Sequence, residues 1–446
     1  MRGSGFLVII PSMNKELLRE LSQFLKVNWG GEAPLLLALS GGPDSMALLL
    51  LLEQVASGKF HVAHVDHGWR EESADEALKL KNLLSSKGIP FHTIRLSADI
   101  PKTEEAAREA RYLFFEKLAA TQGFSELLLA HHASDLAETA LKRACEGAPL
   151  TALASMRPVA QRGLLKLLRP LLRVKKSALV ALLDKGGHFY FTDRTNSGKH
   201  CLRGRMREEI FPLLSRAFGK EVLPGFCNLA VYGAELCDYL DKKIETVLAG
   251  ALSGPFGICY DLSQKPLEPL EIKHLIRAKC AEFGCSMPKT ALDHFTIALL
   301  TLKADFRFQV GGDILFIADR GRLFVTRFVF PAYTFFGCGL EEDSQYTVTL
   351  SLEKSDQLLS WQSLWIGAIP CYLPCDKLAQ IAASPDIEKS KSLRARLSSQ
   401  KIPAFLWEFS PYLILNGRAI HALIEKKAVL PPGCDHLLLE IKNNKL

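Results

Sequence analysis

The residues with the clearest chemical potential form one short stretch, Ser40-Gly41-Gly42-Pro43-Asp44-Ser45. Two adjacent glycines allow positive φ angles and a close approach of backbone to ligand. Successive N–H groups in such a turn, with a helix N-terminus behind them, form a cradle for an anion. A carboxylate in that cradle repels the anion unless a divalent cation lies between them. The stretch predicts a phosphate site; a strand–helix turn with a Ser or Asp cap is the alternative.

The flanking residues place this stretch between a strand and a helix. Residues 35–39 form a short apolar run, typical of a strand buried on both faces, and residues 46–52 continue as an apolar helix. No Lys-Ser or Lys-Thr follows the glycines, so the loop is not a Walker A motif. It resembles instead the pyrophosphate-binding loop of the N-type ATP pyrophosphatases. That superfamily cleaves ATP between its α- and β-phosphates and uses the AMP moiety to activate a carbonyl oxygen.

A second group of chemically competent residues comprises His131, His132, Asp135 and Glu138. Asp135 and Glu138 are three residues apart, so both carboxylates lie on one face of a predicted helix. Such a pair can hold Mg²⁺ beside a triphosphate. A mononuclear zinc site is the alternative, although adjacent histidines at a strand end point to opposite faces. Capping of the helix by Ser134 or Asp135 is compatible with either.

A third group lies on the helix predicted over residues 103–120. Arg108, Arg111 and Tyr112 share one face of this helix. A guanidinium group is always charged and suits the neutralisation of phosphate during nucleotidyl transfer. Periodicity alone is equally compatible with ordinary surface arginines.

The elements that must position these groups alternate between strand and helix. Strands are predicted over residues 35–39, 60–65, 91–96 and 126–130, with helices over 14–27, 73–87, 103–120 and from about 135. This order predicts an α/β, parallel, doubly wound, Rossmann-like sheet. Ligands bind beyond the carboxyl ends of such strands. The sequences SGGPDS, HVDHG and HHASD all fall at those ends, so one crevice is expected to gather them.

Residues 151–220 form a basic block. They contain 15 Lys and Arg against 4 Asp and Glu, a balance of +11 that exceeds the +7 of the whole chain. Such a block is the footprint expected for a polyanion such as RNA, and a solvated surface patch is the alternative.

Chain length, cysteine content and the length of the apolar runs limit the class of protein. A chain of 446 residues is long enough for about two or three domains. Its 11 cysteines include no Cys-x-x-Cys pair, which favours reduced thiols in the cytoplasm over disulfides or structural zinc. No apolar run is long enough to predict a membrane span.

Downstream of the basic block the pattern changes. Residues 227–248, 269–283 and 289–302 are typical of helices, and a hairpin follows over 308–316. Short strands follow from residue 345, with a basic amphipathic segment over 389–401 and a strand pair over 412–415 and 418–423. We interpret Trp361, Trp365 and Trp407 as core residues rather than base-stacking platforms. The domains predicted are a catalytic one over 1–220, a mainly helical substrate-binding one over 221–335 and a smaller α+β one over 345–446.

Several motifs occur in the order and spacing of one enzyme family. HVDHGWR, EAAREARY, AHHASDLAET, RPLL, DRTN and LRGRMREEIFPLL resemble the tRNA(Ile)-lysidine synthases over residues 33–220. FQVGGDILFI and RLFVTR resemble the second domain of that family. The resemblance implies an adenine nucleotide alpha hydrolase-like fold and a ligase that forms a carbon–nitrogen bond. That family joins free lysine to C2 of the wobble cytidine in a CAU-anticodon tRNA(Ile), through an adenylated cytidine and with cleavage of ATP to AMP and pyrophosphate.

The resemblance also implies roles for individual residues. It assigns ATP binding to Ser40, Gly41, Gly42, Pro43, Asp44 and Ser45, and catalysis to Asp44, Arg111, His132, Asp135 and Glu138. It assigns Mg²⁺ to Asp44, Asp135 and Glu138, and tRNA to Arg203, Arg205 and Arg207. Asp135 and Glu138 are alternatively placed on the lysine amine. Three positions depart from the family pattern, namely Ser134 for aspartate, Leu136 for glutamine and Gly204 for asparagine.

Two other functions are compatible with parts of this pattern. A tRNA thiolase would use a similar loop and a similar adenylated base, but many of those enzymes need a Cys-x-x-Cys pair that this chain lacks. A non-catalytic RNA-binding protein that responds to nucleotide would need only the loop and the basic block. The sequence gives no oligomeric state.

Overall fold

The computed structural model describes most of the chain. The described residues are 12–69, 72–97, 99–101, 103–191, 202–327, 333–335, 339–342, 346–351, 361–373, 380–383, 388–408, 410, 412–415, 418–422 and 435–444. The chain divides into two compact units, Met1–Asp238 and Tyr239–Leu446.

The first unit is an α/β structure. Its strands are β1 (Leu35–Ala38), β2 (Phe60–Asp66), β3 (Phe91–Arg95), β4 (Glu126–Leu128), β5 (Val159–Arg162) and β6 (Leu165–Leu168). Its helices are α1 (Ser12–Asn28), α2 (Pro43–Val55), α3 (Ser73–Ser86), α4 (Glu104–Gln122), α5 (Ala133–Cys145), α6 (Leu150–Leu153), α7 (Lys176–Gly186), α8 (Leu202–Arg205), a π-helical segment (Met206–Ile210) and α9 (Phe211–Phe218). The division between units falls within α10 (Leu223–Ala249).

These strands form one sheet with the order β3-β2-β1-β4-β6-β5. All neighbours are parallel except β5, which pairs antiparallel with β6 at the edge. The chain order reverses between β1 and β4, and such a switch point opens a crevice beyond the strand ends. The predicted parallel, doubly wound sheet is therefore confirmed.

Both faces of this sheet are covered, because alternate residues of β1 pack into different cores. Leu35 and Leu37 belong to a cluster with residues of α1, α2 and α7. Leu36 belongs to a second cluster with Phe115 of α4. All three leucines of β1 are fully buried, so the strand reads as a continuous apolar run, as strands of parallel sheets do.

The helix α4 has well-defined ends. The Thr103 hydroxyl oxygen accepts a hydrogen bond from the Ala106 N–H at 3.2 Å, and the helix ends at Gly123 with a φ of +78°. These are the N-cap and C-terminal signals that the sequence offers. They fix the axis of the helix that carries Arg111.

In its described residues, the second unit contains three mainly antiparallel sheets and four helices besides the C-terminal part of α10. Its strands are β7 (Leu252–Gly254), β8 (Gly257–Asp261), β9 (Phe306–Gly311), β10 (Ile314–Asp319), β11 (Arg322–Arg327), β12 (Tyr333–Phe335), β13 (Gly339–Glu342), β14 (Tyr346–Ser351), β15 (Ala368–Leu373), β16 (Gln380–Ala383), β17 (Glu388–Lys389), β18 (Tyr412–Leu415), β19 (Arg418–Ala422) and β20 (Asp435–Asn443). Its helices are α11 (Pro269–Glu282), α12 (Lys289–Leu300), α13 (Trp361–Ile366) and α14 (Lys391–Ser399), with a 3₁₀ turn at Ala404–Glu408. The sheet orders are β7-β8-β11-β10-β9, β12-β16-β18-β19-β17 and β13-β14-β20-β15. Every pair is antiparallel except β17 with β19.

The sheet β7-β8-β11-β10-β9 has an apolar core on each face. Phe316 and Leu323 pack with residues of α11 and α12. Ile317 and Phe324 pack with Trp365 and other residues from the last hundred of the chain. The predicted hairpin over 308–316 is confirmed as β9 and β10, whereas the sequence pattern did not reveal β7 and β8.

The three tryptophans of this region are core residues, as predicted. Trp365 is fully buried, and Trp361 and Trp407 pack against the same cluster. Across the part of the chain that the structure describes, no helix is both long and apolar enough to span a bilayer.

Candidate active site

The loop between β1 and α2 holds its shape through its own polar groups. The Ser45 hydroxyl donates to the Gly42 carbonyl oxygen at 3.0 Å, and its oxygen lies 3.1 Å from that of Ser40. The Gly42 N–H donates to the Ser40 hydroxyl oxygen at 3.3 Å. The helix α2 begins at Pro43, whose fixed φ suits a first helical position. The loop thus brings a helix N-terminus and two hydroxyl groups to the end of β1, as an anion cradle requires.

Position 41 requires glycine for two reasons. Gly41 has a φ of +82°, in the left-handed region. A Cβ there would also overlap with the ring of Phe191, whose N–H donates to the Gly41 carbonyl oxygen at 2.9 Å. The segment that ends at Phe191 therefore lies directly against the loop.

Asp44 stands in the first turn of α2 with its two carboxylate oxygens in different surroundings. Its Oδ2 lies 3.5 Å from His132 Nε2 and 3.7 Å from Lys176 Nζ. Its Oδ1 is buried and has no hydrogen-bond partner among the described residues. Burial opposes ionisation of this carboxyl, but the His132 hydrogen bond and the neighbouring positive charges outweigh it, so the pKa of Asp44 is lowered. Asp44 is therefore an ionised carboxylate, and its buried Oδ1 has no described partner, as a cation ligand would require.

His132 connects this loop to α5. Its ring is buried, and its Nδ1 accepts a hydrogen bond from the Ser134 N–H at 3.2 Å. Its own backbone N–H donates to Asp135 Oδ2 at 2.9 Å, which completes a capping box. Because Nδ1 is an acceptor, the ring proton is on Nε2, which faces the carboxylate of Asp44.

The two carboxylates of α5 engage an arginine. Arg207 Nη2 donates to Asp135 Oδ1 at 2.9 Å and to Glu138 Oε2 at 3.1 Å, and Arg207 Nε donates to Glu138 Oε1. Glu138 is only 2% exposed. Burial raises the pKa of Glu138, and the hydrogen bond and charge of Arg207 offset this only in part. Both carboxylates thus lie on one face, as predicted, with a guanidinium group against them.

The assignment of Asp135 and Glu138 to Mg²⁺ remains a prediction. Asp44 offers the better ligand atom, because its Oδ1 has no partner where the structure describes the chain. The zinc alternative lacks a convergent set, since in the described structure His131, His132, Asp135 and Glu138 do not bring three ligand atoms within 4.8 Å of one another.

The predicted tRNA-binding arginines differ in exposure. Arg203 and Arg205 are exposed, whereas Arg207 is only partly exposed and turns towards α5. The charge of Arg203 lowers the pKa of Glu138, opposing burial, so Arg203 lies near the same carboxylates. Their binding to tRNA remains a prediction.

Residues at the end of β2 support the loop from the side. The buried His64 donates from Nδ1 to the Leu39 carbonyl oxygen, at 2.8 Å, just before the phosphate loop. Asp66 Oδ1 accepts a hydrogen bond from the Gly68 N–H at 2.8 Å. The motif HVDHG therefore fixes the chain on both sides of its strand end.

Arg111 of α4 lies near enough to two histidines of the strand ends to affect both by its charge. Its positive charge helps to lower the pKa of His67, for which burial is the larger cause, and also that of His131. The carboxyl ends of β2 and β4 and the face of α4 thus converge, as predicted for a doubly wound sheet.

Comparison with known proteins identifies the family. The PP-loop domain family matches residues 13–214. The chain is 30% identical over 435 residues to a tRNA(Ile)-lysidine synthase of Protochlamydia amoebophila, covering 94% of both chains. It is 40% identical over 252 residues to a tRNA(Ile)-lysidine synthase of Chlamydia trachomatis, covering 56% of this chain and 77% of that one. The chain belongs to the tRNA(Ile)-lysidine synthase family.

This family is one of tRNA-modifying enzymes with an ATP-binding PP-loop domain, and residues 13–214 include the loop, both carboxylates of α5 and Arg207. Among solved structures, the chain is similar to the U34-tRNA thiolase NcsA of Methanococcus maripaludis with its 4Fe–4S cluster. That match has 17% identity and a TM-score of 0.41, and covers 50% of this chain and 78% of that chain.

Sequence reasoning missed three residues that the structure brings to the loop. Lys176 begins α7, His64 lies in the middle of a strand, and Phe191 follows the C-terminus of α7. A lysine at a helix N-terminus opposes the helix dipole, and this is the one signal that could have marked Lys176.

Proposed function

We propose that this chain joins the ε-amine of free L-lysine to C2 of the wobble cytidine in a CAU-anticodon tRNA(Ile). The reaction cleaves ATP to AMP and pyrophosphate and passes through an adenylated cytidine. Membership of the family supports this activity. The single observation that carries it is the buried Asp44 Oδ1, which has no hydrogen-bond partner in the described part of the chain and lies inside an anion cradle. That combination suits a nucleotide with a divalent cation.

In the first step, the 2-oxo oxygen of cytidine attacks the α-phosphorus of ATP. The bond from that phosphorus to the oxygen bridging the β-phosphate breaks, and pyrophosphate leaves. The N–H groups and hydroxyls of residues 40–45 hold the pyrophosphate. Lys176 and Arg111 add positive charge where negative charge develops.

Mg²⁺ fits this loop, since Asp44 Oδ1 is a buried oxygen with no partner among the described residues. When bound, Mg²⁺ neutralises negative charge on the phosphates. The residues that would hold it are Asp44 first, and Asp135 if Arg207 moves aside.

In the second step, the ε-nitrogen of lysine attacks C2 of the adenylated base. The bond from C2 to the adenylated oxygen breaks, so AMP leaves with that oxygen, and the nitrogen loses a proton. We assign Asp135 and Glu138 to binding the lysine amine. Glu138 is buried and its pKa is raised, so its carboxylate accepts a proton more readily than an ordinary one.

The tRNA is the polyanionic partner. The basic block over residues 151–220 supplies the charge, and Arg203 and Arg205 are exposed on it. We propose that the second unit, with its basic helix α14, provides a further grip on the tRNA. The cysteines at positions 145, 227, 237, 259, 280 and 285 form no disulfide, which suits an enzyme that meets tRNA in the cytoplasm.

A labelling assay tests this function. Purified protein is incubated with ATP, Mg²⁺ and labelled lysine, together with tRNA(Ile) carrying either a CAU or a GAU anticodon. Label is expected to enter the CAU tRNA alone, with equimolar release of AMP and pyrophosphate. Binding of tRNA without any ATP–pyrophosphate exchange would instead indicate a non-catalytic RNA-binding protein, and incorporation of sulfur would indicate a thiolase.

A further inference from the structure

A buried arginine with none of the roles assigned above directly follows the carboxyl end of β6. Arg169, the arginine of the RPLL motif, is 6% exposed. Its Nη1 donates to the Arg157 carbonyl oxygen at 2.8 Å, and its Nε donates to His131 Nδ1 at 3.3 Å. The Tyr112 hydroxyl is a further partner. A cation buried this deeply needs such partners. Among them, His131 is the one that lies at the strand ends and can change its protonation.

The contact with Arg169 decides which nitrogen of His131 carries the proton. A guanidinium group has five donors and no acceptor. His131 Nδ1 must therefore accept, so the proton of the neutral ring is on Nε2. His132 reaches the same tautomer through a different donor, the Ser134 N–H. The two adjacent histidines thus both present an Nε2–H group, and that of His132 is already directed at Asp44.

The Nε2–H group of His131 has no acceptor among the residues that the structure describes. The Nδ1 edge of the ring faces the buried Arg169, so Nε2 lies on the opposite edge of a side chain that is partly exposed. Burial lowers the pKa of His131 to about 4, and the charges of Arg169, Arg108 and Arg111 act in the same direction, while Asp135 opposes them. The ring is therefore a neutral donor beside cations, at the edge of the sheet where ligands bind.

We propose that His131 donates a hydrogen bond from Nε2 to a phosphoryl oxygen of the bound nucleotide, and that Arg169 is the positioning residue that fixes this tautomer. The inference rests on the proposed function in taking the nucleotide as ATP. With the opposite tautomer, Nδ1–H would oppose the Arg169 donor, and the lone pair of Nε2 would face the phosphoryl oxygen. Both arrangements are repulsive. Arg169 therefore determines whether His131 attracts or repels the phosphoryl oxygen.

The first test uses the unmodified protein. Nitrogen-15 NMR of histidine-labelled protein at pH 7 reports which ring nitrogen of each histidine is protonated. His131, assigned through the His131→Gln variant, is expected to show protonated Nε2 and unprotonated Nδ1. Its Nε2–H signal is expected to shift when ATP and Mg²⁺ are added. An Nδ1–H tautomer, an imidazolium, or no shift on saturation with ATP would overturn the proposal.

The second test compares two replacements of the same ring. The amide nitrogen of His131→Gln can reach the position of Nε2, whereas that of His131→Asn mimics Nδ1 instead. His131→Asn is expected to lower kcat/KM for ATP by about a hundredfold, the loss typical of one preorganised donor, and His131→Gln by less than about tenfold. His294→Gln, at an exposed site in the second unit, is the matched control. Equal losses in the Gln and Asn variants would contradict the proposal.

The third test separates positioning from simple structural support. Arg169→Gln offers His131 an acceptor as well as a donor, so a mixture of tautomers and a lower kcat are expected. In the His131→Gln background, where no tautomer remains to be set, the same Arg169→Gln change should have little further effect. Additive losses would mean that Arg169 acts only on stability. If Arg169→Gln does not fold, the NMR result on the unmodified protein decides the matter.

The outcomes distinguish this inference from the proposed function. If the protein shows the expected tautomer and the ATP-induced shift but incorporates no lysine, the His131 inference stands and the proposed function is wrong. If the protein makes lysidine but His131 lacks the Nε2 proton, the proposed function stands and the His131 inference is wrong.

Discussion

The Nε2 atom of His132 lies 3.5 Å from Oδ2 of Asp44, whose other oxygen is buried and has no hydrogen-bond partner among the described residues. The two residues are 88 positions apart in the sequence and come from adjacent strand ends. Because His132 also caps α5, this contact couples the phosphate loop to the helix that carries Asp135 and Glu138. The carboxylate of Asp44 therefore stays ionised beside the ring, since its pKa is lowered, and it keeps its charge for a cation.

Replacement of Asp44 by asparagine should abolish turnover and leave stability almost unchanged. Asparagine keeps the shape and much of the capping ability, but it loses the charge that holds a cation. A loss of at least about a hundredfold in kcat is expected, by analogy with other preorganised charge-stabilising groups. Lysine incorporation at saturating Mg²⁺ and thermal unfolding measure the two effects. Asp75→Asn, at an exposed acid in the first turn of α3, is the control for the helix dipole.

The two glycines of the loop should respond differently to alanine. Gly41→Ala introduces strain at a φ of +82° and overlap with Phe191, so a clear fall in Tm is expected. Gly42→Ala meets only ordinary van der Waals contact, at 3.5 Å from the Ser40 hydroxyl oxygen, so Tm should hold while ATP binding weakens. Calorimetry of unfolding and of ATP binding would test both. An unchanged Tm in Gly41→Ala would show that the loop can relax away from Phe191.

The arginines of the α8 region should separate into two functions. Arg203→Ala with Arg205→Ala removes exposed charge, so the salt dependence of tRNA binding should flatten by about one unit of slope or less for each phosphate contact. Arg207→Ala should instead raise KM for lysine and reduce stability, since it leaves the buried Glu138 without its partner. If all three substitutions reduce the salt dependence of tRNA binding equally, Arg207 also contacts the tRNA.

The stability cost of Arg207→Ala should depend on pH. The folded-state pKa of Glu138 is raised above its ordinary value, so the folded protein binds more protons and loses stability as pH rises from 4.5 through that pKa. Removing Arg207 raises this pKa further, because its hydrogen bond and charge act to lower it. The variant should therefore approach the wild type in stability at acid pH and fall behind near neutrality, as denaturant titrations at several pH values would show.

A second pH effect is expected from a histidine pair on β2 and β3. His61 Nδ1 lies 3.0 Å from His92 Nε2, and the rings stack with centroids 5.3 Å apart. Burial lowers the pKa of both rings, and for His61 the charge of His92 adds to the effect. The unfolded chain thus binds more protons, so stability should fall as pH drops below about 6.5, the ordinary histidine pKa. His92→Gln should reduce this slope in denaturant titrations; an identical slope would assign the effect to other groups.

The fold of the first unit could be predicted because its signals are local. The apolar run at 35–39, the paired glycines and the strand–helix alternation each depend on a few neighbouring residues, and the switch-point rule then places three motifs in one crevice. Lys176 and Phe191 could not be predicted, because they reach the loop from 132 and 150 positions beyond Asp44 and Gly41, with no periodic signal.

The orientation of Arg207 towards α5 could not be predicted from the sequence for a different reason. Regular α-helical spacing places residues 203 and 207 on one face. The segment Met206–Ile210 is instead a π-helix, with hydrogen bonds that span one residue more, so the angular positions shift. In the second unit, β7 and β8 are short, and β8 owes its place to antiparallel pairing with β11, which sequence periodicity alone does not predict.

Removal of residues 345–446 should cost more than tRNA binding. These residues supply Trp365, Phe405 and Tyr412 to the core that covers Ile317 and Phe324. Truncation would expose that face of the sheet, so a fragment of residues 1–344 should aggregate or bind hydrophobic dyes. Loss of one such large side chain already costs about 3–5 kcal/mol.

A fragment that ends at residue 238 provides the comparison, because it retains the whole of the first compact unit. Every residue that we assign to the nucleotide lies within it, so its affinity for ATP without tRNA should match that of the full chain. Its kcat/KM for tRNA should fall by one or more orders of magnitude, about 1.4 kcal/mol each, because it lacks the second unit that we propose grips the tRNA. Equilibrium ATP binding and tRNA titrations measure the two quantities. If this fragment modifies tRNA as efficiently as the intact protein, the second unit has a role other than holding the substrate.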